Sequence, residues 1–333
     1  MRGVVFSHGG VPAEVARVVD DLPDAPEPKA AEVRVDVSVA PLHRGDLVGI
    51  EMAPDQAFSP VRLGSEAMGV VTAVGESVAT VRVGDRVAVF PASGAWSERI
   101  TIPAAFAVPV PDSVDDGVAA VTLVNAITSR DVLRAITEVR AELDAPDDAA
   151  LIVSAAASAV GRLIVRQAHD RGVPVIGVVR SNRSAETVRK LFPEVPVVAT
   201  EREDWQQILR ELTGGRGVPV ITDAHGGGFV REMLPFLSDG GTLVAWGDLE
   251  ARPWTLSTGD LLMRELRVRA VSISRWMTRP DEIRAADRQA AVQLAERWPE
   301  LFAAHSTYPL DALRSAVEAV RGNGTGTALL RFE

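Results

Sequence analysis

The segment between Ala149 and Arg183 constrains the fold of this chain more than any other part of its sequence. It begins with a short apolar run at residues 149–153, which is typical of a buried strand. A loop of small residues follows at 154–161, and apolar residues then recur at helical spacing over 162–170. A second β-branched run occupies 173–179. This order of strand, turn, helix and strand predicts a dinucleotide-binding βαβ unit.

The turn of this unit is built from side chains no larger than a hydroxymethyl group. Residues 155–159 read Ala-Ala-Ala-Ser-Ala, and Gly161 follows shortly after. Small side chains let a pyrophosphate reach the backbone N–H groups at the helix N-terminus, where the helix dipole favours negative charge. The usual G-x-G-x-x-G spacing is absent, so an ordinary alanine-rich turn is the alternative. The second strand, at the right distance, favours the cofactor site.

The end of the second strand carries basic rather than acidic residues. In NAD-binding units an Asp or Glu follows the glycine turn by roughly 20 residues and binds the ribose hydroxyls. Here Arg180 stands 19 positions after Gly161, and no carboxylate occurs until Glu186. The predicted 2′-phosphate site is formed by Arg180, Ser181, Asn182 and Arg183. Because guanidinium groups bind phosphate bidentately, this pattern favours NADP(H) over NAD(H), with a solvated basic loop as the alternative.

Composition and charge exclude several classes of function. The 333-residue chain has a net charge of −10, so neither nucleic acid nor an anionic membrane surface is an expected partner. It has no cysteine, which excludes cysteine nucleophiles, thiolate zinc sites and disulfides. No apolar run reaches transmembrane length, and the first residues do not read as a signal peptide. We therefore expect a cytoplasmic protein with a small-molecule substrate.

The patterning changes along the chain. Residues 1 to about 120 are mostly short β-rich runs separated by Pro and Gly, which is typical of a partly closed barrel. Strands and helices then alternate, which predicts a parallel sheet covered on both faces. Two helical patterns near 281–298 and 310–320 follow, and this C-terminal part is expected to return to the first domain.

Several stretches together resemble the medium-chain dehydrogenase/reductase superfamily. The segment VTAVGESVATVRVGDRVAVF, residues 71–90, is similar to its N-terminal signature. Four others resemble the zinc-independent branch, which holds the quinone oxidoreductases and the mitochondrial-type enoyl thioester reductases, and they favour the latter. They are GAWSERITIP, VNAITSRDVL, SAAASAVG before IGVVRSNR, and GGTLVAWGDL leading to RVRAVSISRW. The resemblance spans nearly the whole chain.

The resemblance implies an α/β protein with a GroES-like, partly open β-barrel domain and a Rossmann domain with a doubly wound parallel sheet. The implied catalytic domain covers residues 1–121 and 285–333, and the implied NADP-binding domain covers 122–284. In relatives, a strand matching Val268–Ser274 pairs edge to edge across a twofold axis, which implies a homodimer. An internal strand is the alternative for this segment.

Two departures from related enzymes bear on the chemistry. His43 stands where zinc alcohol dehydrogenases have a Cys ligand, and Ser65 stands where they have a His ligand. Because catalytic zinc normally needs three protein ligands, no metal is expected. The enoyl reductases have a proton-donating Tyr in a loop that matches residues 51–58, and this segment has none; the only tyrosine is Tyr308. The sequence therefore leaves the proton donor open.

The candidate cofactor-binding residues follow from the same resemblance, except for His225, which is expected over the cofactor because three glycines follow it after a strand. They are Asn125 and Thr128 near the nicotinamide ribose and ring; Ala157, Ser158, Ala159 and Val160 at the pyrophosphate; Arg180, Ser181, Asn182 and Arg183 at the 2′-phosphate; Trp246, Gly247, Asp248, Leu249, Val271, Ser272 and Ile273 flanking the nicotinamide; and Thr327, where those reductases often have Lys. His43, which titrates near neutral pH, and the nearby Asp46 are the candidate catalytic residues. A structural His43, with water as the proton donor, is the alternative.

The first hypothesis is an NADPH-dependent, zinc-independent oxidoreductase that transfers hydride to an activated C=C bond of an enone, an enal or an enoyl thioester. An NADPH:quinone reductase is the second hypothesis, and a non-catalytic NADPH-binding protein is the third. The missing Tyr favours the second and third, whereas the VSISRW and NAITS segments favour the first.

Overall fold

Short strands separated by turns fill the N-terminal part of the chain in the computed structural model, which describes residues 1–302, 305–321 and 326–333. The Pro- and Gly-rich patterning of this part keeps most of the strands short. The elements are β1 (Gly3–Phe6), α1 (Pro12–Val15), β2 (Arg17–Val19), β3 (Glu32–Leu42), α2 (Arg44–Glu51), β4 (Val61–Arg62), β5 (Ala67–Val74), β6 (Arg86–Val89), β7 (Arg99–Pro103), β8 (Ala107–Pro109), α3 (Asp116–Ala120) and α4 (Thr122–Glu142).

Strands and helices alternate after α4, as the sequence predicts. These elements are β9 (Leu151–Val153), α5 (Ala159–His169), β10 (Val175–Val179), α6 (Asn182–Leu191), β11 (Val197–Ala199), α7 (Trp205–Leu212), β12 (Val218–Asp223), α8 (Gly227–Met233), β13 (Leu237–Ala245), α9 (Thr258–Arg264), β14 (Arg267–Ala270) and α10 (Ile273–Trp276). The C-terminal elements are α11 (Asp281–Arg297), β15 (His305–Pro309), α12 (Leu313–Arg321) and β16 (Thr327–Arg331).

These elements form two compact units. The first unit comprises Met1–Val124 and Asp281–Glu333, and the second comprises Asn125–Pro280. The domain predicted at 1–121 and 285–333 includes residues 303, 304 and 322–325, which lie outside the described residues.

The long strand β3 organises the first unit. Its buried residues alternate with half-buried ones, so that Val33, Val35 and Val37 point into the core. Strand β5 pairs with one edge of β3, whereas β7 and β16 share the other edge. The path β15-β16-β3-β5-β6-β8 does not close on itself among the described residues, which is the partly open barrel that the sequence predicts.

The second unit is a parallel sheet with the strand order β11-β10-β9-β12-β13-β14. The chain moves outward in one direction from β9 to β11, and in the other direction from β12 to β14. Because parallel crossovers are right-handed, the helices of the two halves cover opposite faces, as in a doubly wound Rossmann fold. The carboxyl ends of β9 and β12 meet where the direction changes, and ligands of such sheets bind at this point.

The predicted start of helix α5 is wrong. The apolar spacing places it at Arg162, but the helix begins at Ala159. The hydroxyl of Ser158 accepts a hydrogen bond from the N–H of Gly161 at 3.0 Å, and this cap starts the helix one turn earlier. The predicted pyrophosphate residues Ala159 and Val160 are therefore helical.

The predicted strand Val268–Ser274 is also too long. Strand β14 ends at Ala270, and the N–H of Ser274 donates to the hydroxyl of Ser272 at 3.2 Å. This cap starts the short helix α10, because a serine hydroxyl can replace the missing backbone acceptor at a helix start. The β-branched residues of this segment favour a strand, and this hydrophobic pattern carries no information about the serine cap that ends it.

Candidate active site

The turn between β9 and α5 consists of small residues that lead directly into a helix N-terminus. Ala155 holds a positive φ of 50°, and an added Cβ on Gly161 would lie 2.2 Å from the carbonyl oxygen of Ala155. Only glycine therefore lets the helix approach the turn so closely. No side chain of residues 155–159 is larger than that of serine, so the N-terminus of this 11-residue helix fits an anion.

Asp223 ties the carboxyl ends of β9 and β12 together. The hydroxyl of Ser154 donates to its Oδ1 at 2.7 Å, and the N–H of Gly226 donates to its Oδ2 at 2.8 Å. Burial acts to raise the pKa of Asp223, but the nearby His225 ring and these two donors outweigh burial and lower it. The carboxylate is thus charged, and it holds the two loops of the predicted site in register.

His225 begins a glycine loop at the same edge of the sheet. Its Nδ1 lies 3.7 Å from Oδ1 of Asp223, which is too far for a hydrogen bond, and its ring centre lies 4.8 Å from that of Phe229. Gly226 and Gly227 have φ angles of +70° and +54°, a left-handed conformation that glycine adopts without strain. The loop can therefore turn sharply and keep His225 at the carboxyl end of β12.

The segments after β13 and β14 continue along this edge. The N–H of Trp246 donates to the carbonyl of Asp223 at 2.9 Å, and the N–H of Val271 donates to the carbonyl of Ala245 at 2.8 Å. The indole Nε1 of Trp246 is buried and has no hydrogen-bond partner among the described residues. The exposed residues of the predicted nicotinamide group are Gly247, Asp248, Leu249 and Ser272, and the half-buried ones are Trp246, Val271 and Ile273.

The residues after β10 lie beside the end of β11. Ser181 caps α6, because its hydroxyl accepts from the N–H of Ser184 at 3.2 Å, and Arg180, Asn182 and Arg183 are exposed. Sequence reasoning missed Glu201, whose Oε1 accepts a hydrogen bond from the N–H of Asn182 at 2.8 Å. The expected spacing of about 20 residues after the glycine turn points to the end of β10, whereas this carboxylate follows β11. The apolar run 197–199 just before it was the available signal.

Three predicted residues do not belong to the loops that follow these strands. Asn125 and Thr128 are one turn apart on α4, within the second unit, and therefore share a helix face. Asn125 is buried and Thr128 is half-buried. Thr327 belongs to the first unit, where it pairs with His305 of β15.

A second polar cluster, in the first unit, surrounds His43. The N–H of His43 donates to Oδ2 of Asp46 at 3.1 Å, and the hydroxyl of Ser65 donates to Oδ1 of Asp46 at 2.9 Å. The ring Nε2 of His43 lies 2.5 Å from Oε2 of Glu66. Both oxygens of Asp46 thus hold the start of α2, while Glu66 holds the imidazole ring.

Glu66 is fully buried and connects His43 to the first turn of α4. Its Oε1 accepts hydrogen bonds from the N–H groups of Leu123 at 2.6 Å and Val124 at 3.0 Å. A carboxylate is stabilised there, because the N-terminus of a 21-residue helix carries partial positive charge. Sequence reasoning missed this residue, since its partners lie far from it in the chain.

The pair of His43 and Glu66 holds a proton at neutral pH. Burial acts to lower the pKa of His43, but the hydrogen bond and charge of Glu66, together with the charge of Asp46, outweigh burial and raise it. Burial raises the pKa of Glu66 against the same partner. Because two helix N–H groups stabilise the carboxylate form, we assign the negative charge to Glu66 and the proton to the imidazole.

The variant Glu66→Gln is expected to lower the pKa of His43. An amide keeps the hydrogen-bonding shape but removes the negative charge that stabilises the imidazolium, so His43 should lose its proton at a lower pH. An NMR titration of the histidine ring protons measures this, with His43→Asn to assign the signal. Glu76→Gln, an exposed change in the same unit, is the control and should leave the titration unchanged. An unchanged titration in Glu66→Gln would contradict the assignment.

The two residues at the positions of zinc ligands make other contacts. His43 bonds to Glu66, and Ser65 bonds to Asp46. Within residues 1–302, 305–321 and 326–333, no group of three or more His, Asp or Glu side chains is arranged to hold a metal ion. None of the helices in these ranges is long and apolar enough to cross a bilayer.

Two protein families match the two units. The alcohol dehydrogenase GroES-like domain matches residues 29–112, and the zinc-binding dehydrogenase family matches residues 159–291. The first match lies in the first unit, and the second covers the parallel sheet except β9 and extends into α11. The chain belongs to the medium-chain dehydrogenase/reductase superfamily. The resemblance found in the sequence is thereby confirmed.

The relatives place this medium-chain reductase in the zinc-independent branch. It is 34% identical to a 2-haloacrylate reductase of a Burkholderia species, over 56% of this chain and 55% of the relative. It is 26% identical to the mitochondrial enoyl-[acyl-carrier-protein] reductase of Xenopus tropicalis, over 88% of this chain and 82% of the relative. The structure of Escherichia coli quinone oxidoreductase complexed with NADPH matches with a TM-score of 0.84 and 25% identity, over 100% of both chains.

The structure groups the predicted site residues of this medium-chain reductase by unit. The turn before α5, the residues after β10, His225 and the segments after β13 and β14 all follow carboxyl ends of strands in one sheet. His43, Asp46 and Thr327 lie in the other unit. The first group lies where parallel sheets of this kind commonly bind nucleotides, and the second group includes His43, whose partner in the titratable pair is Glu66.

Proposed function

We propose that this medium-chain reductase uses NADPH to reduce an activated C=C bond, in an enone, an enal or an enoyl thioester, without a metal. The observation that supports the proposal most is the N-terminus of α5, where Gly161 lets the helix pack closely against a turn whose side chains are no larger than that of serine, an arrangement suited to a pyrophosphate. Arg180 and Arg183 add positive charge after the next strand. Two relatives are named for the reduction of a haloacrylate and of an enoyl group, which supports a C=C acceptor.

The residues of the second unit bind and orient the cofactor in this proposal. Bound NADPH supplies the hydride. The backbone of 157–160 holds the pyrophosphate, and the residues after β10 hold the 2′-phosphate. The segments after β13 and β14, with His225, Asn125, Thr128 and Thr327, are assigned to the nicotinamide half. Orientation accounts for most of the rate, because a fixed geometry removes the entropic cost of bringing the reactants together.

His43 is the proposed proton donor to the reduced substrate. Its raised pKa favours the imidazolium, which is the form that a general acid needs. Glu66 occupies Nε2, so the transferred proton is assigned to Nδ1 in this proposal. Asp46 is assigned to positioning, since both of its oxygens accept hydrogen bonds. Tyr308 packs against the core of the first unit and is not assigned a catalytic part.

Consumption of NADPH with a panel of acceptors tests the proposed function. Enones, enals and enoyl thioesters are expected to be reduced faster than quinones, and reactions without an acceptor give the background. If NADPH is not consumed with any acceptor, the proposed enzymatic activity is refuted, and the hypothesis of a non-catalytic NADPH-binding protein remains. We propose a cytoplasmic location for the activity, which cell fractionation tests.

A quinone reductase is the second candidate. The segment 51–58 lacks the Tyr of the enoyl reductases, and the solved structure of a quinone oxidoreductase aligns with the entire chain. A quinone can take electrons with less help from a proton donor, so the missing Tyr matters less for it. Faster turnover of quinones than of every unsaturated carbonyl compound in the same panel would favour this candidate.

Arg180→Ala is expected to reduce the preference for NADPH. The unmutated protein should bind NADPH at least tenfold more tightly than NADH, a difference of about 1.4 kcal/mol, because guanidinium groups pair with the 2′-phosphate. The variant should lose most of that difference. Fluorescence titration gives both dissociation constants, with Arg210→Ala on α7 as the control. Equal constants in the unmutated protein would contradict the assignment.

A homodimer is part of the proposal. Strand β14 is the last strand in the order of the parallel sheet, so its outer edge can pair with a second copy. Val268 on this strand is 44% exposed, which suits a contact that a partner covers. Light scattering at micromolar concentration should give twice the monomer mass of 35.5 kDa, and Val268→Lys should shift the mass toward the monomer. A monomer mass for the unmutated protein would count against the dimer.

A further inference from the structure

Glu201 lies beside the residues of the proposed 2′-phosphate site, although it follows β11, which is not part of the βαβ unit. Strands β10 and β11 are parallel neighbours, with Val179 opposite Ala199. The chain keeps this pairing beyond the strands, because the N–H of Glu201 donates to the carbonyl of Arg180 at 3.0 Å. The backbone of Glu201 is therefore fixed next to the residues that follow β10.

The side chain of Glu201 lies at the N-terminus of α6. Its Oε1 accepts a hydrogen bond from the N–H of Asn182, the first residue of that 10-residue helix, at 2.8 Å. This is the position at which a helix attracts an anion. The first turn of α6 contains no acidic residue of its own, so Glu201 supplies the negative charge from a different strand.

We infer that Glu201 is a specificity-determining residue. It weakens the binding of NADPH and strengthens the binding of NADH, so that the preference for NADPH is smaller than the two arginines alone would give. The inference rests on the proposed function, because it takes the residues after β10 to contact the adenosine ribose. A 2′-phosphate must share the N-terminus of α6 with a carboxylate of like charge. A ribose 2′-hydroxyl can instead donate a hydrogen bond to that carboxylate, as it does to the acidic residue of NAD sites.

The proposed ribose site therefore contains groups that favour different cofactors. Arg180 and Arg183 attract the phosphate of NADPH, and Glu201 repels it. All three residues are exposed, so the repulsion is screened by water and salt and does not abolish NADPH binding. The protein thus binds NADPH preferentially and accepts NADH as well.

The test is the ratio of the dissociation constants of NADH and NADPH, measured by fluorescence titration of the full chain. In Glu201→Gln, NADPH should bind about tenfold more tightly, and NADH should bind more weakly. A glutamine keeps an oxygen that can accept from the N–H of Asn182, so the helix cap survives. Glu201→Ala removes both the charge and the cap and should change the ratio in the same direction. A merely structural role would weaken both cofactors together.

Glu203→Gln is the matched control, since Glu203 is exposed and only two residues away. It removes the same charge from the same loop and should leave the ratio unchanged. A ratio that stays constant in Glu201→Gln, or that changes equally in Glu203→Gln, would overturn the inference. Failure of the cofactor assignment has a different signature, because the unmutated protein would then bind neither cofactor. Failure of the proposed catalysis alone would appear as no consumption of NADPH with any acceptor and would leave both dissociation constants measurable.

Discussion

Replacing His43 by Phe is expected to slow the reduction of enones and enals by about 10²- to 10⁴-fold, the usual cost of losing a general acid. The buried pair with Glu66 raises the pKa of His43 and so favours its protonated form, and phenylalanine has no proton to give. The affinity for NADPH should stay the same, because the residues assigned to the cofactor's adenosine and pyrophosphate lie in the other unit. Steady-state rates and cofactor titration of the variant measure the two effects separately.

Quinones separate the two candidate functions in the same variant. Their reduction needs less protonation help, so His43→Phe should affect them less than it affects unsaturated carbonyl compounds. His169→Phe on α5 is a suitable control, because it makes the same change at a histidine of the second unit that is not assigned to the site. If His43→Phe reduces enones at the unmutated rate, then His43 is structural and water gives the proton.

Glu66→Leu is expected to lower the free energy of unfolding of the first unit by about 3–5 kcal/mol, the cost of breaking a buried ion pair on one side. The change leaves the imidazolium of His43 without its partner and removes the acceptor for the N–H groups of Leu123 and Val124. Urea unfolding followed by fluorescence measures the loss.

Two controls isolate the cause of that loss. Glu66→Gln keeps an acceptor for the helix N–H groups and should be destabilised less than Glu66→Leu. Glu76→Leu makes the same chemical change at an exposed position and should alter stability by less than about 0.5 kcal/mol. Equal effects of Glu66→Leu and Glu76→Leu would show that the buried pair contributes nothing to stability.

The elements that carry the proposed cofactor residues could be predicted because their signals are local. The turn before α5 depends on side-chain size over a few consecutive residues, and the strand and helix periods on either side are readable from the same segment. Arg180 was found by counting from Gly161, since a strand and a helix of known rise separate them. The boundaries were less accurate, because the serine caps at Ser158 and Ser272 act on backbone groups and do not alter the hydrophobic period.

The acid–base half could be predicted only in part. His43 and Asp46 were found because they are close in the sequence and resemble a known turn. Glu66 was missed, although its hydrogen bond and charge raise the pKa of His43. Its partners come from α2 and α4, and no periodic pattern of one segment reports a contact between two others.

The sequence by itself determined the βαβ unit, the superfamily and the basic character of the loop after β10, because each depends on residues that are near one another in the chain. Only the tertiary structure decided which carboxylates act on those residues. Glu66 reaches His43 because the start of β5 packs beside the starts of α2 and α4, and Glu201 reaches Asn182 because β10 and β11 pair in register. The physical reason is that a single hydrogen bond between distant segments is set by strand pairing and helix packing, which arise from the whole core rather than from the residues that make the bond.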